Sequence, residues 1–170
     1  GIRTIVRHML TTESVVAYGN CNLIDEIGVR TGVVVPPPVS FESLLKFWSV
    51  NCSIPPQPAI FFRRNVLDDV GLLDETLRYV MDYELWLRIA RRYSFSYVNA
   101  VIGNYRMHSE SKTVGEGNQF NPERYRVSLG YGRSHGLRYR VPYWASYAHF
   151  RFLVWRSRVW SRIRRHPLLK

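Results

Sequence analysis

Cysteine is scarce: Cys21 and Cys52 are the only two in 170 residues, and they form no C-x-x-C pair. That is too few for a disulfide framework, and both read as reduced core residues of a cytoplasmic protein. No apolar run approaches the roughly 18 residues that a membrane-spanning helix needs. A charged-then-apolar leader is missing too, and the chain opens on Gly1 rather than methionine, which reads as a processed, engineered or truncated start. There is no internal repeat and no low-complexity segment. Acid is the rarest thing of all near the end. Residues 121–170 hold 12 Lys/Arg against the single acid Glu123, which accounts for the whole net charge of +11, whereas residues 1–120 balance 12 against 12.

What is present is a chain of 46% hydrophobic residues, enough for about one domain with a real core. The charge divides it into a globular part, 1–120, and a basic, aromatic helical tail, 121–170. An electrically balanced body with a cationic end implies an anionic partner for that end.

In chain order, residues 2–11 are compatible with a helix. Ser14–Asn20 is β-branched and aromatic, a buried strand. Asp25-Glu26-Ile27-Gly28 supplies a turn into Val29–Val35, so 14–35 reads as a hairpin. Pro36-Pro37-Pro38 makes a stiff spacer. Ser40 then caps a short helix with apolar positions at Phe41, Leu44, Leu45, Phe47 and Trp48. Asn51–Pro58 is a proline-rich loop, Ala59–Phe62 a short strand, and Arg63–Val70 a short helix stopped by Gly71. Phe95–Arg106 is a β-rich run that leads into the polar loop His108–Asn118. Pro122 sits at a helix start, and Glu123–Ser134 is helical up to Gly136. In 143–165, Trp144, Ala148, Phe152, Trp155, Val159 and Ile163 share a helical stripe, with arginines at 151, 156, 158, 162, 164 and 165.

The stretch that concentrates the chemistry is Tyr79–Arg88. Tyr83, Trp86, Leu87 and Ala90 have the spacing of one buried helical face. Glu84 and Arg88, four apart with the acid first, read as a surface pair worth a few tenths of a kcal/mol. Asp82 then falls at the N-cap, a position that aspartate fills well. The same carboxylate could also act as a general base, if it is held rigidly beside a pocket and desolvated.

Several pieces of the chain, in order, resemble family-two glycosyltransferases of GT-A fold, of the kind that builds bacterial surface polysaccharides. They are the hairpin YGNCNLIDEIG, the block QPAIFFRRNVLDDVGLLDETL, the block MDYELWLRIA and the ending YRMHSESKT. The resemblance spans about Ser14 to Lys112 and covers the C-terminal, acceptor-side half of that catalytic domain. It implies an α/β fold, a partial GT-A domain lacking its N-terminal nucleotide-binding half and followed by C-terminal helices. It implies inverting transfer of a sugar from a nucleotide-sugar donor to a saccharide or lipid-linked acceptor.

Under that resemblance Asp82 is the catalytic base, although Met81 stands where the family usually has a second acid. Gln57 and Arg63 fall on the acceptor side. Trp86 lines the acceptor or sugar pocket, with a plain core aromatic as the alternative. Arg106 and Lys112 face substrate, Lys112 by neutralising diphosphate charge. His108 touches the donor diphosphate or its divalent metal, Mn2+ or Mg2+. The metal-binding D-x-D motif of the family occurs nowhere in these residues. The expectation is therefore a fragment that would not turn over alone.

The tail 139–170 has no counterpart in that family. Its tryptophans and arginines suit an anionic membrane surface, which would put the protein on the inner face of the plasma membrane. Packing on a missing half is the alternative. Two further readings remain open at this point: a non-catalytic relative that keeps the fold, and a basic module binding nucleic acid through the Arg/Trp-rich tail. A nucleic-acid partner is disfavoured because the globular part is neutral and carries no recognised motif.

Overall fold

The strand that organises the molecule is Val16–Ile24 (β1), six of whose first residues are buried in succession. In a computed structural model, which describes residues 1–46, 54–108, 120–133 and 148, it is preceded by a helix, Ile2–Thr11 (α1). After it come Arg30–Val34 (β2), Phe41–Leu45 (α2), a 3-10 turn at Gln57–Ala59 and Ile60–Phe62 (β3). Asn65–Val70 (α3), Met81–Ala90 (α4), Phe95–Arg106 (β4) and Phe120–Arg133 (α5) complete the order.

Both edges of β1 are used. Along one lies β4, parallel and paired from Val16↔Phe95 to Ile24↔Arg106. The other is shared by two antiparallel strands, β3 against Val16–Tyr18 and β2 against Cys21–Ile24. The result is an open, mixed four-stranded sheet. The expected hairpin is present as β1–β2. Its turn is held by Asp25, whose Oδ1 accepts the N–H groups of Ile27 at 3.1 Å and Val29 at 2.8 Å. β4 spends twelve residues against nine of β1, with register shifts at Gly19/Asn20 and Asn20/Cys21.

Side chains alternate across a strand, and β1 feeds two cores accordingly. Val16 and Tyr18 join Phe41, Leu44 and Leu45 of α2, Val66 of α3 and Leu85, Trp86, Leu87 and Ile89 of α4. Ala17 and Cys21 join Ile5 and Met9 of α1 with Ala59, Val98 and Ile102. Helices therefore cover both faces. On the α1 side the 3-10 turn lies so close to β4 that a Cβ on Gly103 would stand 2.1 Å from the carbonyl oxygen of Pro58. Only glycine fits there.

Local signals account for the short helices. Ser40 caps α2 with a reciprocal box, Ser43 N–H to Ser40 Oγ at 3.1 Å and Ser40 N–H to Ser43 Oγ at 2.9 Å. The carbonyls at its far end go to distant side chains, Leu44 to the Tyr83 hydroxyl and Leu45 to that of Ser128, both at 2.9 Å. Gly71 ends α3 with φ of 82°, as expected of a helix stop. Tyr18 fastens the proline segment to the sheet: its hydroxyl accepts the Val39 N–H at 3.1 Å and donates to the Pro37 carbonyl at 3.4 Å.

Three expectations about the later chain are corrected. Helix α4 begins at Met81, with Val80 as its N-cap, so Asp82 lies inside the first turn and is not the cap. Nor does α4 have a single buried face: Tyr83, Glu84, Leu85, Trp86, Leu87 and Ile89 are all buried, because β3, α2, α3 and α5 each contact it. Glu84 and Arg88 are accordingly not a surface pair. Glu84 is 8% exposed and accepts from Arg88 Nε at 2.9 Å and Nη2 at 2.7 Å, and from the Tyr131 hydroxyl at 2.5 Å. Helix α5 packs on α2 and α4 through Ser128 and Tyr131. Cys52, the end of the helix predicted through Trp48, and the tail 139–170 apart from Ala148 lie outside the described residues.

Candidate functional site

The start of α4 is built from two directions. Val80 offers no side-chain acceptor for the free N–H groups of a helix start. Asp82 takes one of them from within the first turn, that of Tyr83, and the chain leading into the helix is held from α5. Glu123 takes the backbone N–H groups of Arg78 at 3.1 Å, Tyr79 at 2.7 Å and Val80 at 3.1 Å. Burial alone would raise its carboxyl, but these three amides together outweigh that and hold it below the ordinary glutamate value. The neighbouring Arg124 lies over the Tyr83 ring, its guanidinium carbon 5.7 Å from the centroid.

Asp82 sits between these two anchors. Its carboxylate is half-buried, and Oδ1 accepts the N–H of Tyr83 at 2.7 Å. Burial pushes its pKa above the ordinary aspartate value. The Tyr83 amide and the positive charge of Arg124 pull the other way without cancelling it. A carboxylate raised by desolvation holds a proton more readily than one in water, which is the direction a general base requires. Helix position and burial thus act in opposition here, and burial prevails.

Trp86 lies one turn further along α4. It is 4% exposed and meets Phe62 of β3 edge-on, with ring centroids 6.0 Å apart. The indole N–H is buried and has no hydrogen-bond partner among the described residues. Trp86 is therefore a core aromatic that also carries an unspent donor.

The other anticipated residues fall elsewhere. Gln57 is exposed at the start of the 3-10 turn, and Arg63 is exposed at the end of β3, where its own N–H bonds the Val15 carbonyl at 3.0 Å. Arg106 closes β4, and its Nη1 donates to the carbonyls of Asp25 at 3.1 Å and Glu26 at 2.6 Å, so it braces the β1–β2 turn. His108 is half-buried just beyond, after Met107 has extended the ladder to Ile24. Described contacts tie Trp86 and Asp82 to α4, and Arg106 to the opposite end of β1. Lys112 lies outside the described residues.

A divalent metal needs several hard donors at one point. Among the described residues no group of three or more His, Cys, Asp or Glu converges, and His108 lies in no such group. Two surface concavities occur beside α4, of about 450 and 520 Å3. One is lined by Ser40, Glu42, Arg91 and Tyr93 and the other by Asp74, Glu84, Arg126 and Tyr131; neither includes Asp82.

Glu123 and Arg124 are the participants that sequence reasoning missed. The signal was available: Glu123 is the single acid in a fifty-residue basic stretch. A lone carboxylate in such a setting needs a reason, and the amides of residues 78–80 supply it.

No family model matches the chain. It is 28% identical over 124 residues to an uncharacterised glycosyltransferase of Rickettsia conorii. That match takes in 67% of this chain and 20% of the relative, so the chain spans about a fifth of the length of the protein it resembles. The mixed α/β architecture with its open sheet is compatible with a glycosyltransferase-like fold.

Proposed function

We propose that these residues form the acceptor-side part of an inverting, family-two glycosyltransferase of GT-A type, with Asp82 as its general base. The observation that carries this reading is the state of Asp82. It is half-buried in the first turn of α4, held there by the Tyr83 N–H, and shifted toward proton uptake. In the proposed step its carboxylate takes the proton of an acceptor hydroxyl. The hydroxyl oxygen attacks the anomeric carbon of the donor sugar, and the bond to the nucleoside diphosphate breaks.

The acceptor is a saccharide or a lipid-linked saccharide of cell-surface polysaccharide assembly. The cationic stretch 139–170 would hold the enzyme against anionic lipid on the cytoplasmic side, beside such an acceptor.

The test is Asp82→Asn in the full-length protein, assayed with labelled nucleotide sugars and a membrane lipid extract as acceptor. Asparagine keeps an oxygen for the Tyr83 N–H but takes up no proton. Transfer should fall by about 10³-fold or more, in line with loss of a general base together with its charge, while the fold survives. Transfer within about threefold of the parent would end the proposal.

A further inference from the structure

We propose that Glu123 is a positioning residue for the base: a clamp from α5 that holds the entry to α4 and so aims Asp82 at the acceptor. The inference rests on the reading of Asp82 given above, and goes beyond it by naming what fixes the base in place.

The geometry is specific. Helix α4 starts without a side-chain cap of its own, because its N-cap is Val80. Three consecutive N–H groups, those of Arg78, Tyr79 and Val80, converge on one carboxylate more than forty residues away in sequence. The last of them belongs to the residue two before Asp82. Immediately beyond Glu123, Arg124 reaches the other side of the same point, over Tyr83 and facing Asp82 with its charge. Successive residues of α5 therefore grip the chain on both sides of Met81.

Glutamate suits this role better than other side chains. One carboxylate offers about four acceptor positions and no donor, so it can satisfy three converging amides. Glutamine offers a single oxygen and presents an NH2 that repels at least one N–H. The grip is also local in its effects. Residues 78–80 are a loop without regular structure of their own, so releasing them frees the backbone that leads into Asp82. Displacing a catalytic group by about 1 Å costs on the order of 10²-fold in rate. Substrate contacts made elsewhere stay intact.

The experiment compares Glu123→Gln, Asp82→Asn and the double variant in the full-length protein, with labelled nucleotide sugar and membrane lipid extract. Glu123→Gln should lower kcat, referred to the folded fraction measured by circular dichroism, by about 10- to 100-fold and leave the KM of the nucleotide sugar within about twofold. In the Asp82→Asn background it should lower the residual rate no further, since the group it aims is already gone. If Glu123→Gln fails to fold, Glu123→Asp carries the same test: it keeps the charge one methylene short of the three amides, and the same kcat loss is expected. A folded Glu123 variant with unchanged kcat, or one whose loss disappears on cooling below its unfolding transition, overturns the inference. An inactive Asp82→Asn beside a fully active Glu123→Gln leaves the base reading standing and removes the clamp alone. An active Asp82→Asn removes the base reading itself.

Discussion

Replacing Arg88 with methionine separates two physical pictures of α4. Spacing alone makes Glu84 and Arg88 an exposed i, i+4 pair worth a few tenths of a kcal/mol. In the folded chain the side chains of Arg88 and Glu84 are only 20% and 11% exposed. The guanidinium bonds both Glu84 oxygens through Nε at 2.9 Å, and its Nη2 reaches Leu72 O at 2.7 Å. Its Nη1 also donates to the Val70 carbonyl, at the C-terminal end of α3. Arg88→Met keeps most of the stem but strands a buried carboxylate and two carbonyls. Removing one partner of a buried pair costs about 3–5 kcal/mol, and the residual exposure points to the lower half of that range. For a chain of this size each kcal/mol moves Tm by roughly 2–4 °C, so a fall of about 8–15 °C is expected in calorimetry. Urea unfolding should show the same loss. A double cycle with Glu84→Gln should return a coupling energy on the order of 1–3 kcal/mol. A loss below about 0.5 kcal/mol, as for an exposed pair, would refute the buried network.

Other expectations follow from the same packing. Gly103→Ala should destabilise by about 1–3 kcal/mol in urea unfolding, because the new Cβ would meet backbone oxygen of Pro58 at 2.1 Å. Gly130→Ala, in the interior of α5 with nothing within 4 Å of its Cβ, should instead stabilise by about 0.5–1 kcal/mol. Asp82→Asn should alter stability in a pH-dependent way. Burial raises the folded-state pKa of Asp82 above the ordinary 3.8, so its contribution is most favourable below that value and is lost as pH rises through the folded pKa. The variant should therefore gain Tm relative to the parent as pH is raised from about 4, and a constant difference across pH in thermal melts would contradict the shift. Finally, truncation after Gly136 should abolish flotation of the full-length protein with anionic liposomes at low salt; equal flotation with and without the tail would sink the membrane role.

The parts of the fold that could be read directly are those with local causes. β-branched and aromatic residues mark β1, Asp25 and Gly28 mark the hairpin turn, Ser40 marks the start of α2 and Gly71 the end of α3. Each signal acts within a few residues of its effect. What escaped depends on pairing over long distances. Nothing in Phe95–Arg106 announces that its twelve residues run parallel to nine of β1, with extra residues bulged out. The i, i+4 spacing of Glu84 and Arg88 says that they meet, but not that α5 will bring Tyr131 onto them. Trp86 stayed open between core and pocket for a similar reason: its burial is tertiary, and so is the isolation of its indole N–H.

The start of α4 carries this lesson into the chemistry. An aspartate before an apolar-periodic run is locally indistinguishable from an N-cap, and caps outnumber catalytic bases, so the local evidence favours the structural role. The two acceptors divide the helix start between them: Glu123 takes the amides of 78–80 leading into the helix, and Asp82 takes the Tyr83 N–H inside the first turn. With three amides already bound to Glu123, the entry loop does not depend on Asp82 for hydrogen bonding. Its carboxylate accepts the N–H of Tyr83 and its own N–H and faces the Arg124 charge, and it still bears a desolvation cost that an asparagine would avoid. A charged group kept where burial costs stability is what the proposed base role calls for.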